Sequence, residues 1–315
     1  MAPSHSSSLV GKRILITGAG GFIGSHLCRS LCGTGAEIHG VSRILRTGVE
    51  NKPRWWQCDL SDPATVRNLV SLIKPNLIFH LAAGDTRAKR DLNLVLPIFQ
   101  NNLAPTVNIL TAGTETGCGR IVLAGSLDEP EPGDVPSSPY AASHAAIKAY
   151  AHMFYQVFET PMVIARMFMT YGPGQEALQK LIPYVTLSLL RGQSPKITSG
   201  QRLVDWIYID DLVEGLIALA KARGVEGSTV DLGSGILTSV RDVVQELVRL
   251  TGAGVEPAIG ALPDRPLEPE RSARVDETYS RIGWKTQTPL EKGLRQTIDS
   301  YKEKLKNGMS TAASA

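Results

Sequence analysis

The sequence predicts an α/β fold in which a doubly wound parallel sheet is joined to a smaller C-terminal α+β lobe. Short β-branched runs alternate with helix-length segments through residues 10–170, and this alternation is typical of a parallel sheet with helices on both faces. A glycine-rich turn lies between the first predicted strand and the first predicted helix. The alternation loosens beyond Gly174, which predicts that a second lobe begins at about residue 171.

The predicted strands of the first lobe are short and apolar. The first is Arg13–Thr17, a helix follows from about Gly21, and the second strand covers residues 37–41. Trp55 and Trp56 are expected to lie in the third strand and to pack there. The remaining runs that periodicity predicts as strands cover residues 78–82, 120–124 and Met162–Met167.

The second lobe, residues 171–306, is predicted to mix helices with short strands, and some of its segments are expected to return to the first lobe. Its predicted elements are helices from about Glu176, Asp210 and Ser239, a short piece of regular structure near Ile197 and a strand near Thr229. Residues 1–9 and 307–315 are small and polar, so we expect flexible termini.

Composition and charge exclude several kinds of partner. The net charge is +3 without a basic run, so nucleic acid is not expected. No stretch approaches the roughly 20 apolar residues of a membrane span, and residues 1–8 lack the apolar core of a secretion signal, which predicts a cytoplasmic protein with no membrane partner. The four cysteines are too few for a disulfide scaffold and lack metal-site spacing. We therefore expect reduced thiols and no metal.

The glycine-rich turn reads TGAGGFIG from Thr17 to Gly24 and follows the first predicted strand. Gly18 permits the tight turn, Gly21 lets the backbone approach a pyrophosphate, and Gly24 allows the helix to pack closely on the strand. The N-terminus of that helix supplies N–H groups and a positive dipole end. The turn therefore predicts a dinucleotide site formed by Gly18, Gly20, Gly21, Phe22, Ile23 and Gly24.

The glycine spacing, together with a tyrosine between Ser138 and His144, resembles the extended short-chain dehydrogenase/reductase family of nucleotide-sugar epimerases, dehydratases and reductases. The resemblance covers nearly the whole chain. It implies a Rossmann-type NAD(P)-binding domain over residues 10–170, a substrate lobe for a nucleotide sugar over residues 171–306, and a homodimer formed through helices. Further positions that it assigns to the cofactor are Asp59, Leu60, Leu81, Ala82, Ala83, Asn102, Tyr140 and His144.

The end of the second strand predicts which dinucleotide binds. An acidic residue there accepts a hydrogen bond from the ribose 2′-hydroxyl of NAD, whereas this chain has Val41, Ser42 and Arg43, with Arg46 close behind. A guanidinium pairs with phosphate and stacks on adenine. We therefore predict that Ser42 and Arg43 favour NADP(H) over NAD(H). Alternatively, Arg43 is a solvated loop charge.

Ser126 and Tyr140 are the candidate catalytic pair. The resemblance assigns to Ser126 the hydroxyl that binds the reacting oxygen, and to Tyr140 the phenol that moves its proton. Family members carry lysine four residues after the tyrosine, where this chain has His144. Three readings stay open: His144 replaces the lysine as a weaker, pH-dependent donor, Lys148 supplies the missing charge, or catalysis is lost.

The residues after Ser126 bear on the type of reaction. Family dehydratases place Thr-Asp-Glu here to eliminate water, whereas this chain has Ser126, Leu127 and Asp128, of which Asp128 stays a candidate base. Family epimerases usually hold NAD beside an acidic strand end, which this chain lacks. The resemblance therefore implies that NADPH reduces a 4-keto sugar while Tyr140 donates the proton. The alternatives are an epimerase or dehydratase, and a cofactor-binding protein whose catalysis is impaired by His144.

Late arginines are the candidate ligands of the substrate. Arg265 and Arg271 resemble the family's arginine that binds the nucleotide diphosphate, a task for which guanidinium is suited. Met169 and Val204 stand where family members carry asparagine and arginine, and Arg202 is a candidate to compensate. The predicted substrate residues are Arg202, Gln175, Arg265 and Arg271.

Overall fold

A computed structural model describes residues 9–44, 46, 53–84, 90–131, 133–266 and 268–312, with side chains as far as residue 307. Residues 1–8 and 313–315, which belong to the predicted flexible termini, lie outside the described part of the chain. The four cysteines are free thiols, as predicted. Within the described ranges, no helix is both long enough and apolar enough to cross a membrane.

The larger part of the fold is a seven-stranded parallel sheet. The strands of the described residues are β1 (Arg13–Thr17), β2 (Glu37–Ser42), β3 (Arg54–Gln57), β4 (Leu77–His80), β5 (Ile121–Ser126), β6 (Met162–Met167), β7 (Met169–Tyr171), β8 (Leu203–Tyr208), β9 (Thr229–Leu232) and β10 (Leu237–Ser239). The main sheet has the order β3-β2-β1-β4-β5-β6-β9. This order reverses between β1 and β4, which opens a crevice at the carboxyl ends of those strands. The predicted doubly wound sheet is confirmed.

Helices cover both faces of the main sheet. The α-helices of the described residues are α1 (Phe22–Leu31), α2 (Pro63–Ile73), α3 (Val95–Ile98), α4 (Ala104–Glu115), α5 (Pro139–Phe158), α6 (Leu181–Leu190), α7 (Ile209–Lys221), α8 (Val240–Thr251), α9 (Val275–Ile282) and α10 (Leu290–Ala312). Successive residues of β1 point to opposite faces. Ile14 and Ile16 therefore pack with α1 and α7, whereas Leu15 packs with α2, α4 and α5.

A second sheet of three short strands, β10-β8-β7, lies in the smaller lobe. β9 follows β8 in the chain but pairs with β6 of the main sheet, so this segment returns to the first lobe. Val243 and Leu247 of α8 belong to the same buried cluster as Phe79 of β4. The two lobes therefore share one hydrophobic core.

Two predicted boundaries differ from the structure near the carboxyl ends of the strands. β4 ends at His80 and not at residue 82, because its partner β1 ends at Thr17 and the chain turns away at Gly18. The helix predicted from about residue 176 begins at Leu181, because residues 176–180 are held in turns by backbone hydrogen bonds. Residues 81–83 thus follow the strand, at the edge where the sheet order predicts a ligand.

Candidate active site

Glycine backbone forms the turn between β1 and α1. Gly18 has a φ of +66°, which favours glycine, and a Cβ atom there would lie 2.8 Å from the Ala82 nitrogen. A Cβ atom on Gly24 would lie 2.1 Å from the Gly18 carbonyl oxygen, so α1 can pack this closely against the turn only with glycine at position 24. Gly21 is the N-cap of α1 and offers no side-chain oxygen to the N–H groups of the first turn. Those N–H groups fit a pyrophosphate.

Two arginines lie at the end of β2. A Cβ atom on Gly20 would lie 2.6 Å from the Arg46 Cζ atom, so this guanidinium lies against the glycine turn. The same Cζ atom is 5.4 Å from the centroid of the Trp55 ring. Arg43 donates from Nη1 to Asn101 Oδ1 at 3.2 Å. The described residues directly after β2 include no carboxylate, so the charge there is positive.

Asp59 and Leu60 follow β3 at the same edge of the sheet. Asp59 Oδ1 accepts hydrogen bonds from the N–H and the hydroxyl of Ser61 at 3.0 and 2.8 Å. These bonds, assisted by the charge of Arg43, hold the pKa of Asp59 below its usual value. Arg43 and Asp59, which were both predicted to contact the cofactor, are therefore brought together.

A buried chain of hydrogen bonds lies at the ends of β1 and β4. His80 Nδ1 is 2.8 Å from Thr17 Oγ1, and His80 Nε2 is 3.1 Å from Thr106 Oγ1. Thr17 Oγ1 also accepts the Ala82 N–H at 3.2 Å, and Thr106 donates to the Asn102 carbonyl oxygen at 2.7 Å. Burial lowers the pKa of His80 to about 4, so the ring is neutral at pH 7.

Asn102 lies in a π-helical turn, Phe99–Leu103, immediately before α4. Such wider turns occur often at functional sites. Asn102 Oδ1 accepts the Gly84 N–H at 2.7 Å, and its Nδ2 donates to Ser143 Oγ at 3.3 Å. Ser143 donates in turn to the Tyr140 carbonyl oxygen at 2.8 Å. Asn102 thus joins the segment after β4 to the first turns of α5.

Tyr140 lies in the first turn of α5, and His144 follows one turn later. The helix begins there because Ser138 caps it, accepting the Ala141 N–H at 3.2 Å, and because Pro139 suits the first helical position. The ring centroids of Tyr140 and His144 are 4.5 Å apart, and both side chains are buried. The imidazole therefore contacts the phenol.

Ser126 ends β5 and is buried. Its Oγ accepts the Asp128 N–H at 3.1 Å, which leaves the hydroxyl proton to be donated to another oxygen. Leu127 packs into the hydrophobic core between them. Ser126 and Asp128, both predicted to be catalytic, therefore lie in one turn at the carboxyl end of the sheet.

Glu129 is a buried acid in the same turn and was not among the residues predicted from the sequence. Its Oε1 accepts the Ser126 N–H at 3.0 Å. Burial raises the pKa of Glu129, although the Ser126 N–H and neighbouring cations, including Lys148, oppose the rise. A Cβ atom on Gly125 would lie 2.6 Å from Glu129 Oε1, so this glycine makes room for the carboxyl group. The glycine before the strand end was the signal in the sequence.

The predicted substrate arginines differ in their surroundings. Arg271, whose side chain is 17% exposed, lies with Nη1 3.0 Å from Glu131 Oε1. Arg202 Nη1 lies 3.0 Å from Glu268 Oε2. Arg265 is 62% exposed and 3.7 Å from the same carboxylate. Among the three, Arg265 is the most open to a diphosphate.

Gln175 is buried between the glycine-rich segment after β7 and the C-terminal helix. Its side-chain Nε2 donates to the Thr170 carbonyl oxygen at 3.4 Å, and its backbone carbonyl oxygen accepts the Tyr301 hydroxyl at 2.7 Å. The structure therefore gives the Gln175 side chain a partner within the protein, and its role as a substrate ligand stays a prediction.

Comparisons with known proteins agree on one family and one fold. The sequence profile described as the NAD dependent epimerase/dehydratase family matches residues 14–233. A probable dTDP-glucose 4,6-dehydratase of Sinorhizobium fredii is 28% identical, over 92% of this chain and 93% of its own length. A UDP-glucose 4-epimerase of Mycolicibacterium smegmatis is 29% identical, over 93% of this chain and 99% of its own. The solved UDP-glucose 4-epimerase of Thermotoga maritima, with UDP-glucose, has a TM-score of 0.84 at 23% identity, covering 93% of this chain and 99% of that one, which shows a shared fold.

Proposed function

The chain belongs to the NAD-dependent epimerase/dehydratase family, and from that premise we propose that it is an NADP(H)-dependent oxidoreductase that reduces the 4-keto group of a nucleotide-linked sugar. The observation that carries the proposal is the position of Tyr140. Its helix is tied through Ser143 and Asn102 to Gly84, which closely follows Ala82, whose backbone lies against Gly18 of the glycine turn. An acid–base phenol next to such a turn is what carbonyl reduction requires.

Tyr140 and Ser126 divide the work on the sugar oxygen. Tyr140 donates a proton to the oxygen on C4, and the Ser126 hydroxyl donates a hydrogen bond to the same oxygen as negative charge develops there. When bound, the dinucleotide supplies the hydride. His144 contacts the phenol where family members carry lysine, and histidine is a weaker base than lysine, so we expect slow turnover.

The proposed preference for NADP(H) would distinguish this chain from its family, which is described as NAD dependent. It rests on Arg43 and Arg46, which place two guanidinium groups where an NAD-binding protein carries an acid. The 2′-phosphate of NADP is the group that such charges would bind.

Reduction is favoured over elimination because Leu127 is buried in the core, so it offers the cleft no polar group. Incubation with NADPH and a panel of nucleotide-linked 4-keto-6-deoxy sugars tests the proposal through the loss of NADPH absorbance. We expect Tyr140→Phe to abolish that loss. Tyr150→Phe, which changes an exposed tyrosine of the same helix, should leave it intact. NADPH binding without turnover on any sugar would instead favour a cofactor-binding protein with impaired catalysis.

A second candidate function is elimination of water, as in the family's dehydratases. Burial raises the pKa of Glu129, and Glu129 follows Asp128 in the same turn, so the turn offers two carboxyl groups in different environments. A nucleotide-linked glucose incubated with oxidised cofactor would then lose one water, which mass spectrometry detects. Formation of that product would replace reduction as the assigned reaction.

We also propose a homodimer joined through α5 and residues 94–111. Large apolar side chains are exposed on both segments, including Leu96, Phe99 and Val157. A groove of about 640 Å³ between them is lined mainly by apolar side chains, and exposed apolar patches often mark interfaces. Light scattering should give twice the mass of the chain, and a monomer mass would contradict this proposal.

A further inference from the structure

The hydrogen bonds around His80 have one consistent direction. The Thr106 hydroxyl donates its hydrogen bond to the Asn102 carbonyl oxygen, so towards His80 the Thr106 oxygen can only accept. His80 Nε2 must therefore carry a proton and donate to Thr106 Oγ1. Because burial keeps the ring neutral, Nδ1 has no proton and accepts from the Thr17 hydroxyl. The Thr17 oxygen accepts the Ala82 N–H. The Nε2–H tautomer therefore satisfies every polar atom in this chain of bonds.

This chain of hydrogen bonds has two halves that meet at the His80 ring. The cofactor half runs from the Ala82 N–H through Thr17, which directly precedes Gly18, to His80 Nδ1. The helix half runs from Nε2 through Thr106 to the carbonyl oxygen of Asn102. The Asn102 side chain continues to Ser143 and so to the carbonyl of Tyr140.

We propose that His80 is a positioning residue, which uses its single neutral tautomer to hold the glycine turn and the Tyr140 helix in register. A neutral imidazole accepts at one edge of a rigid ring and donates at the opposite edge. It can therefore join two hydroxyl groups, those of Thr17 and Thr106, that face it from different elements. The kinetic readout rests on the function proposed above, but the placement of the bonds does not.

Two isosteric variants separate the halves. Thr106→Val removes the helix half, so we expect kcat to fall about tenfold while the Kd for NADPH changes less than about twofold. Thr17→Val removes the cofactor half, so we expect the Kd for NADPH to rise about tenfold and kcat at saturating NADPH to change less than about twofold. Thr106→Ser and Thr17→Ser keep the hydroxyl and should restore each constant. Parallel changes in both constants, as a general loss of stability would give, overturn the proposal.

Two measurements need no substrate, so they separate failure of this inference from failure of the proposed function. The ¹⁵N shifts of the His80 ring, assigned by their loss in His80→Asn, should show a protonated Nε2 and a bare Nδ1 at pH 7. The amide of Gly84, held by Asn102, should exchange about tenfold faster in Thr106→Val, with the Val163 amide of β6 as the unchanged reference. The opposite tautomer, a charged ring, or unchanged exchange at Gly84 would each contradict the inference.

Discussion

Replacing the two arginines at the end of β2 should remove the proposed preference for NADP(H) and leave NAD(H) binding in place. Arg46 lies against Gly20 of the glycine turn and 5.4 Å from the Trp55 ring centroid. Arg43 lies earlier in the same segment, directly after β2, and is hydrogen-bonded to Asn101. The 2′-phosphate is the group by which NADP differs from NAD, so only NADPH loses a partner when these charges are removed.

The magnitude follows from the strength of the lost contacts. A hydrogen bond to a charged group is worth about 1.5–3 kcal/mol, and about 1.4 kcal/mol corresponds to a tenfold change in Kd. Arg46→Ala should therefore raise the Kd for NADPH by about 10- to 150-fold and change the Kd for NADH by less than about twofold. Adding Arg43→Ala should raise the Kd for NADPH further, because the two guanidinium groups would bind separate phosphate oxygens.

Fluorescence titration with NADPH and NADH at one ionic strength measures both constants. Arg54→Ala is the matched control, because Arg54 also lies over a tryptophan, with its Cζ 4.8 Å from the Trp56 ring centroid. Trp55 and Trp56 are successive strand residues, whose side chains point to opposite faces of the sheet. Equal weakening of NADPH and NADH by Arg46→Ala, or an unchanged ratio of the two constants, would refute the reasoning.

Three further predictions concern the glycine turn, the buried carboxyl group and the tyrosine helix. Gly24→Ala should weaken dinucleotide binding at least about tenfold, because its Cβ atom would lie 2.1 Å from a backbone oxygen. Gly254→Ala is the control and should leave binding unchanged, because no atom lies within 4 Å of its new Cβ atom. Titration of both variants with the dinucleotide measures the difference. Burial raises the pKa of Glu129, so the folded state holds its proton longer and stability falls as pH rises above the ordinary value of 4.5. Glu129→Gln should remove this fall in stability, which urea unfolding of the wild type and the variant at pH 5 and pH 8 measures. The same pH dependence of the free energy of unfolding in both proteins would contradict the prediction. His144→Lys should raise turnover at pH 7 by about tenfold, because an ammonium beside the Tyr140 phenol stabilises its anion, and steady-state assays that found a lower rate would count against this reading.

Features that depend on neighbouring residues could be predicted from the sequence. The left-handed Gly18 and the crowded Gly24 were evident from the spacing of glycines after a strand. The start of α5 follows from Ser138 as cap and Pro139 at the first helical position, which together place Tyr140 in the first turn. Local conformation and the carboxyl-end position of the site are therefore encoded over a few residues.

Features that depend on residues far apart in the chain could not be predicted in the same way. The contact of Arg46 with Gly20 and Trp55 joins three separate segments. The burial of Glu129 depends on the packing around β5, which sets its pKa. The two neighbours of the His80 ring lie on different elements, so the sequence identified the strand end without revealing the bonds that fix its tautomer.

Different residues determine the position of the Tyr140 side chain and the charge beside it. Its position is set by the Ser138 cap and by the hydrogen bonds that run through Ser143 to Asn102. Replacing the family's lysine by His144 removes a fixed positive charge but leaves these hydrogen bonds in place. Because orientation and electrostatic stabilisation contribute separately to catalysis, the proposed reaction should be slowed by this replacement and not lost completely. The ratio of the His144→Lys rate to the wild-type rate would therefore measure how much of the catalytic power of this site depends on charge alone.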